Sequence, residues 1–72
     1  MFVSESHQRL FDIFKQAIED ERKSQALYSD AVSLCEDDIM RKLFQELYAD
    51  EVGHEKRLVE QYKVFRPLVT PD

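Results

Sequence analysis

Apolar residues recur every three or four positions along most of the chain, the period of a helix with one buried face. From about Ser4 to Leu34 the stripe reads Leu10, Phe14, Ala17, Tyr28, Ala31 and Cys35, with Glu21 and Ser24 occupying two of its positions. Phe11, Ile18 and Val32 flank it on one side, and Ile13, Leu27 and Leu34 on the other. Ser4 is a suitable N-cap, and Glu5 follows in the first turn, where the helix dipole favours an acid. The run Glu36-Asp37-Asp38 breaks the pattern, and Asp37 is placed to cap a second helix. That helix is expected over about 38–65, with a stripe of Met40, Phe44, Leu47, Glu51, His54, Leu58, Gln61 and Phe65. Pro67 disfavours helical geometry at Arg66, so residues 66–72 are expected to form a short tail.

A link of only a few residues forces the two helices antiparallel, as a hairpin. Both stripes are wider than one partner helix can cover. A chain of 72 residues also buries only about 60% of the surface its unfolded form exposes. The expectation is therefore an all-α single domain over residues 1–72. Two copies of this hairpin would dimerise into a four-helix bundle.

Composition narrows the function classes. Hydrophobic residues at 43% and charged residues at 35% mark a globular chain rather than a disordered one. One Gly and two Pro, both within the last six residues, are too few for a loop-rich or β architecture. Fifteen acidic against ten basic residues give a net charge of −5 and no basic stripe, so no nucleic-acid partner is expected. Cys35 is the only cysteine, which removes an internal disulfide, a paired-cysteine redox motif and a zinc knuckle. Apolar runs of three residues or fewer predict no membrane span, and Met1-Phe2-Val3 lacks the basic start of a signal peptide. A cytoplasmic protein is the expectation.

The stripe carries three ionisable groups: Glu21 on helix one, Glu51 and His54 on helix two. Charge at such positions is costly unless it is paired or bound to a metal. Glu51 and His54, three apart, project from one helical face, between apolar Leu47 and Leu58. If the turn centres on Glu36, Glu21 lies fifteen residues before it and Glu51 fifteen after. Both then sit about 22 Å from the turn, at one level. Two-fold symmetry would gather four Glu and two His, the ligand set of di-iron carboxylate bundles. Carboxylate and imidazole donors suit iron or manganese. The predicted metal ligands, and with them the predicted catalytic residues, are Glu21, Glu51 and His54, holding two irons per dimer with Mn or Zn as possible substitutes. Tyr28, two turns from Glu21, is a candidate hydrogen-bond donor to a ligand or else a packing aromatic. Gly53 costs helix two about 1 kcal/mol relative to Ala, and a close approach beside His54 would offset it.

Ala17-Ile18-Glu19-Asp20-Glu21, Tyr28 seven residues later, Leu43-Phe44-Gln45-Glu46-Leu47 and Asp50-Glu51-Val52-Gly53-His54 together resemble the rubrerythrin branch of the ferritin-like superfamily. The resemblance covers about residues 17 to 63. It implies Glu21 as the helix-one metal ligand, Glu51 as the bridging ligand and His54 as the terminal nitrogen ligand. Rubrerythrins carry two such hairpins in one chain, usually with a rubredoxin-like module. With one hairpin and only Cys35, this chain is more similar in organisation to the encapsulated ferritins, whose ferroxidase centre forms where two subunits meet. Those proteins form even-numbered assemblies and ride inside an encapsulin shell through a C-terminal peptide; the tail here has apolar Leu68 and Val69 but no flexible linker.

What the resemblance implies is a ferroxidase, oxidising Fe(II) for iron storage or detoxification at a site shared between subunits. Two other readings stay open at this point. One is a rubrerythrin-like peroxide reductase drawing electrons from another protein, and the other is a metal-free helical interaction module.

Overall fold

The first helix begins where the sequence predicts a cap: the Ser4 hydroxyl accepts a hydrogen bond from His7 N at 3.1 Å. In a computed structural model describing residues 4–69, α1 spans Glu5–Leu34 and α2 spans Asp38–Val69, with no strand among the described residues. The link is Cys35 to Asp37, without a single positive-φ residue among those described. Cys35 closes α1 in extended geometry, its N–H donating to the carbonyls of Ala31 and Val32. Asp37 opens α2 by accepting from Met40 N through Oδ1 at 2.7 Å. Arg41 then folds back to donate to the Cys35 carbonyl and to Asp38 Oδ1. Cap, link and first turn thus form one polar clasp that fixes where α2 starts relative to α1.

The helices lie side by side in a rod of 56 × 17 × 15 Å. Aromatic rings join them at two heights. Toward the open end Phe11 meets Phe65 at 5.1 Å and Tyr62 at 5.8 Å, while Phe14 meets the same two rings at 5.8 and 6.0 Å. His7 adds an edge contact to Phe65. Toward the turn, Tyr28 lies 6.3 Å from Phe44. These spacings fall in the favourable range for aromatic pairs, each contributing about 0.5–1.5 kcal/mol beyond area burial.

The seam keeps most of the expected stripe, with Phe14, Glu21, Tyr28, Phe44, Glu51 and Phe65 on the covered side, but differs from it at the edges. Phe11, not Leu10, is the one buried side chain among those described, and Leu10 stays 43% exposed. On α2 Tyr62 replaces Gln61 and Glu55 is drawn inward, while His54 turns outward. A stripe wide enough for several neighbours offers two helices a choice, and the cross-helix contacts, rings and hydrogen bonds together, settle it. Residues 66–69, expected as tail, continue α2 through Pro67 to Val69. The proline forfeits only one helical hydrogen bond, in a final turn open to water, so the helix is not stopped. Met1–Val3 and Thr70–Asp72, the last part of the expected tail, lie outside the described residues. Among the described residues no helix is long and apolar enough to cross a membrane.

Much apolar surface stays open. Leu10, Ile13, Leu27 and Leu34 on α1, with Met40 and Leu43 on α2, are between 43% and 79% exposed and by helical periodicity fall along one side of the rod, with Ile39 beside the turn at 84%. The accessible surface is 5836 Å², against about 4,700 Å² for a compact monomer of this mass.

Gly53 meets nothing within 4 Å of the position a Cβ would take, so the close approach expected beside His54 is not present within the hairpin. Gly53→Ala should therefore stabilise the protein by about 1 kcal/mol, raising Tm by roughly 4–8 °C. Thermal unfolding followed by circular dichroism measures this directly. An unchanged or lower Tm would mean that another surface packs against Gly53.

Candidate metal centre

Between the two aromatic levels the seam turns polar. Glu21 from α1 and Glu51 from α2 face one another there, each side chain about one-fifth exposed. His54, one turn on from Glu51, stands at the rim with 61% of its side chain exposed. Its Nδ1 lies 3.7 Å from Glu21 Oε2 and 3.8 Å from Glu51 Oε1. One donor atom from each residue falls within 4.8 Å of the others. The structure therefore brings all three predicted ligands together, although His54 sits on the open side of the seam rather than within it.

The electrostatics of this cluster are unresolved by the protein alone. Glu21 Oε2 is shut from solvent and has no hydrogen-bond partner. The Glu51 carboxyl, as a hydrogen-bond partner for a protonated Glu21, holds Glu21 above the usual carboxylate range. Loss of hydration and the like charge of Glu51 act in the same direction, and His54 opposes them. A buried oxygen without a donor beside a second carboxylate is the arrangement a cation relieves. The donor set fits one: an ion holding ligands at about 2.0–2.2 Å keeps them roughly 3.0–3.4 Å apart, a little inside the spacings here. Oxygen and imidazole donors without sulfur select iron, manganese or zinc over thiophilic metals. Three donors leave coordination positions open.

The other candidates divide. The Tyr28 ring packs on Phe44, and among the described residues no hydrogen bond links its hydroxyl to Glu21, which favours the packing role. Glu19 and Asp20 point outward, engaged by Lys23 and Gln16. Tyr48 lines a groove on the opposite side of the rod with Ser29, Val32 and Gln45. Cys35 is half-buried at the end of α1.

Sequence reasoning did not single out Arg22, Gln25 and Glu55. Glu55 Oε1 accepts from Gln25 Nε2 at 2.7 Å and its Oε2 from Arg22 Nε at 3.1 Å. Gln25 Nε2 also reaches the Glu51 carbonyl at 3.4 Å. The Gln25 and Arg22 hydrogen bonds hold the Glu55 carboxyl below the ordinary range, so it is anionic and already satisfied. One signal was available: Gln25 and Glu55 each lie four residues after a ligand, so each glutamate has a polar seam neighbour one turn on.

The chain matches no protein-family model, no curated protein and no solved structure. The site is read from its own geometry.

A raised Glu21 pKa means that the folded hairpin binds this proton more tightly than the unfolded chain. Its stabilising effect is fully present below about pH 4.5, the unperturbed value, and is lost as pH rises through the native value. With chelator present, Glu21→Gln should therefore melt above wild type at pH 7, with the gap closing toward pH 4. Urea unfolding of both proteins across that range is the check, and a gap that does not depend on pH would contradict it.

Proposed function

We propose that two hairpins pack open face to open face into a four-helix bundle of the ferritin-like kind, and that the bundle holds two iron ions and oxidises Fe(II). The observation that carries this reading is the convergence of Glu21, Glu51 and His54 on the side of the rod where apolar surface is left uncovered. His54 stands on the same helical face as Met40 and Leu43, so a partner covering those residues also covers the histidine. The surplus accessible surface, about 1,100 Å² over a compact monomer, is of the size one partner buries in a stable complex.

In this reading Glu21 and Glu51 bind as carboxylates, and the cation offsets the mutual repulsion and lost hydration that raise the Glu21 pKa. His54 offers Nδ1, the nitrogen turned toward both carboxylates, and must be neutral to do so. Leu47 and Leu58, one turn beyond Glu51 and His54 on either side, limit the access of water. With iron as the substrate, a pair of Fe(II) ions would supply the two electrons that, with two protons from solvent, reduce one O2 to hydrogen peroxide or one hydrogen peroxide to water. The resemblance to encapsulated ferritins supports iron storage or detoxification as the purpose, with confinement in an encapsulin shell.

Native mass spectrometry of an anaerobic Fe(II) titration tests assembly and stoichiometry together. A dimer that saturates at two irons is expected, stabilised by about 2.7 kcal/mol when free metal is a hundred times Kd. Glu51→Ala and His54→Ala should weaken binding by more than about 100-fold, since losing even an outer partner of a ligand costs about 10–100-fold. A chain that stays monomeric, or a dimer whose iron content is unaffected by both substitutions, would overturn the proposal.

A further inference from the structure

The geometry points to Gln25 as the positioning residue of the metal centre: its amide ties α1 to the Glu51 backbone and to Glu55, and so sets the rotation at which Glu21 faces Glu51 and His54. This inference rests on the metal-centre reading above. Three hydrogen bonds join α1 to α2 at this level, and every one involves Gln25 or Glu55. The two residues of the clamp next to ligands are their immediate chain neighbours, Arg22 after Glu21 and Glu55 after His54. Consecutive residues on a helix are about 100° apart around its axis, so the clamp occupies the side of the seam away from the ligands.

That opposition is what makes it a register device. Rolling either helix to carry Glu21 or His54 out of the cluster breaks the bonds behind it. The aromatic levels do not impose this setting, because Phe11 and Phe14 each touch both Tyr62 and Phe65 and tolerate some roll. Gln25 matters more than Arg22: it is half-buried and bonds two acceptors, whereas Arg22 is 64% exposed and makes a surface pair worth little by itself. Gln25 is also neutral, so replacing it leaves the charge of the site unchanged.

Co(II), whose visible absorption reports ligand geometry, is the probe. Gln25→Leu keeps the size and the net charge while removing both hydrogen bonds. It should weaken Co(II) binding on the order of tenfold and shift the visible bands, with metal-free helicity and dimerisation unchanged. Glu55→Gln keeps an oxygen for the Gln25 amide and should remain within about threefold of wild type. Should Gln25→Leu not fold, Gln25→Asn, too short to reach both acceptors, replaces it with the same expectation. Wild-type affinity and spectrum in the folded Gln25 variant would overturn the inference, as would a loss in Glu55→Gln as large as in the Gln25 variant, which would assign the effect to charge. A wild-type protein that takes up no Co(II) and no Fe(II) would instead remove the metal centre itself.

Discussion

Two carboxylates set against one another inside a helical seam are the constraint around which this hairpin is arranged. Glu21 and Glu51 lie where an apolar pair would have packed at no electrostatic cost. The fold meets that cost only in part: proton uptake is favoured at Glu21, a histidine stands nearby, and one oxygen is left without a donor. The stabilising contacts are placed away from this level. Aromatic rings close the seam above and below, and the Gln25–Glu55–Arg22 network closes it behind, so the acidic pair is held rather than expelled.

The second constraint is one of area. A rod of two helices with one buried side chain among the described residues has little core of its own, and uncovered leucines, isoleucine and methionine lie on the side where His54 protrudes. Stability and chemistry therefore ask for the same thing. Whatever covers the apolar side also removes the histidine from water, and in the proposed assembly a second hairpin does both.

Much of this was legible in the sequence, and the misses share one cause. The two caps, the short link and the antiparallel pairing followed from Ser4, Asp37 and the break at Glu36–Asp38, because capping is a local interaction. The level of Glu21 with Glu51 followed from counting outward from the turn. The rotation of each helix did not follow: Leu10 was expected where Phe11 packs, Gln61 where Tyr62 packs, and His54 within the seam where Glu55 lies. Periodicity gives the direction of a broad stripe only to within about one residue, and cross-helix contacts, which are tertiary, decide the remainder. Gln25 went unremarked for the same reason, since an amide at a seam edge looks like any solvated residue until its partners are known. Helix two outran its expected end because a proline in a terminal turn removes a single hydrogen bond.

The link between the helices carries a further consequence for how such a chain can change over generations. Cys35, Glu36 and Asp37 turn the backbone without a left-handed residue, so the connection demands no glycine and accepts many side chains. Its length is another matter. A residue gained or lost there that is taken up by either helix would shift the pairing by about 1.5 Å and turn it by about 100°, separating every cross-helix pair from Phe11–Phe65 to Tyr28–Phe44 together. Substitution at Cys35 or Glu36 is thus nearly silent and replacing Asp37 costs α2 its cap, about 1 kcal/mol, whereas a shift of helical register is felt at the centre of the rod, fifteen residues away.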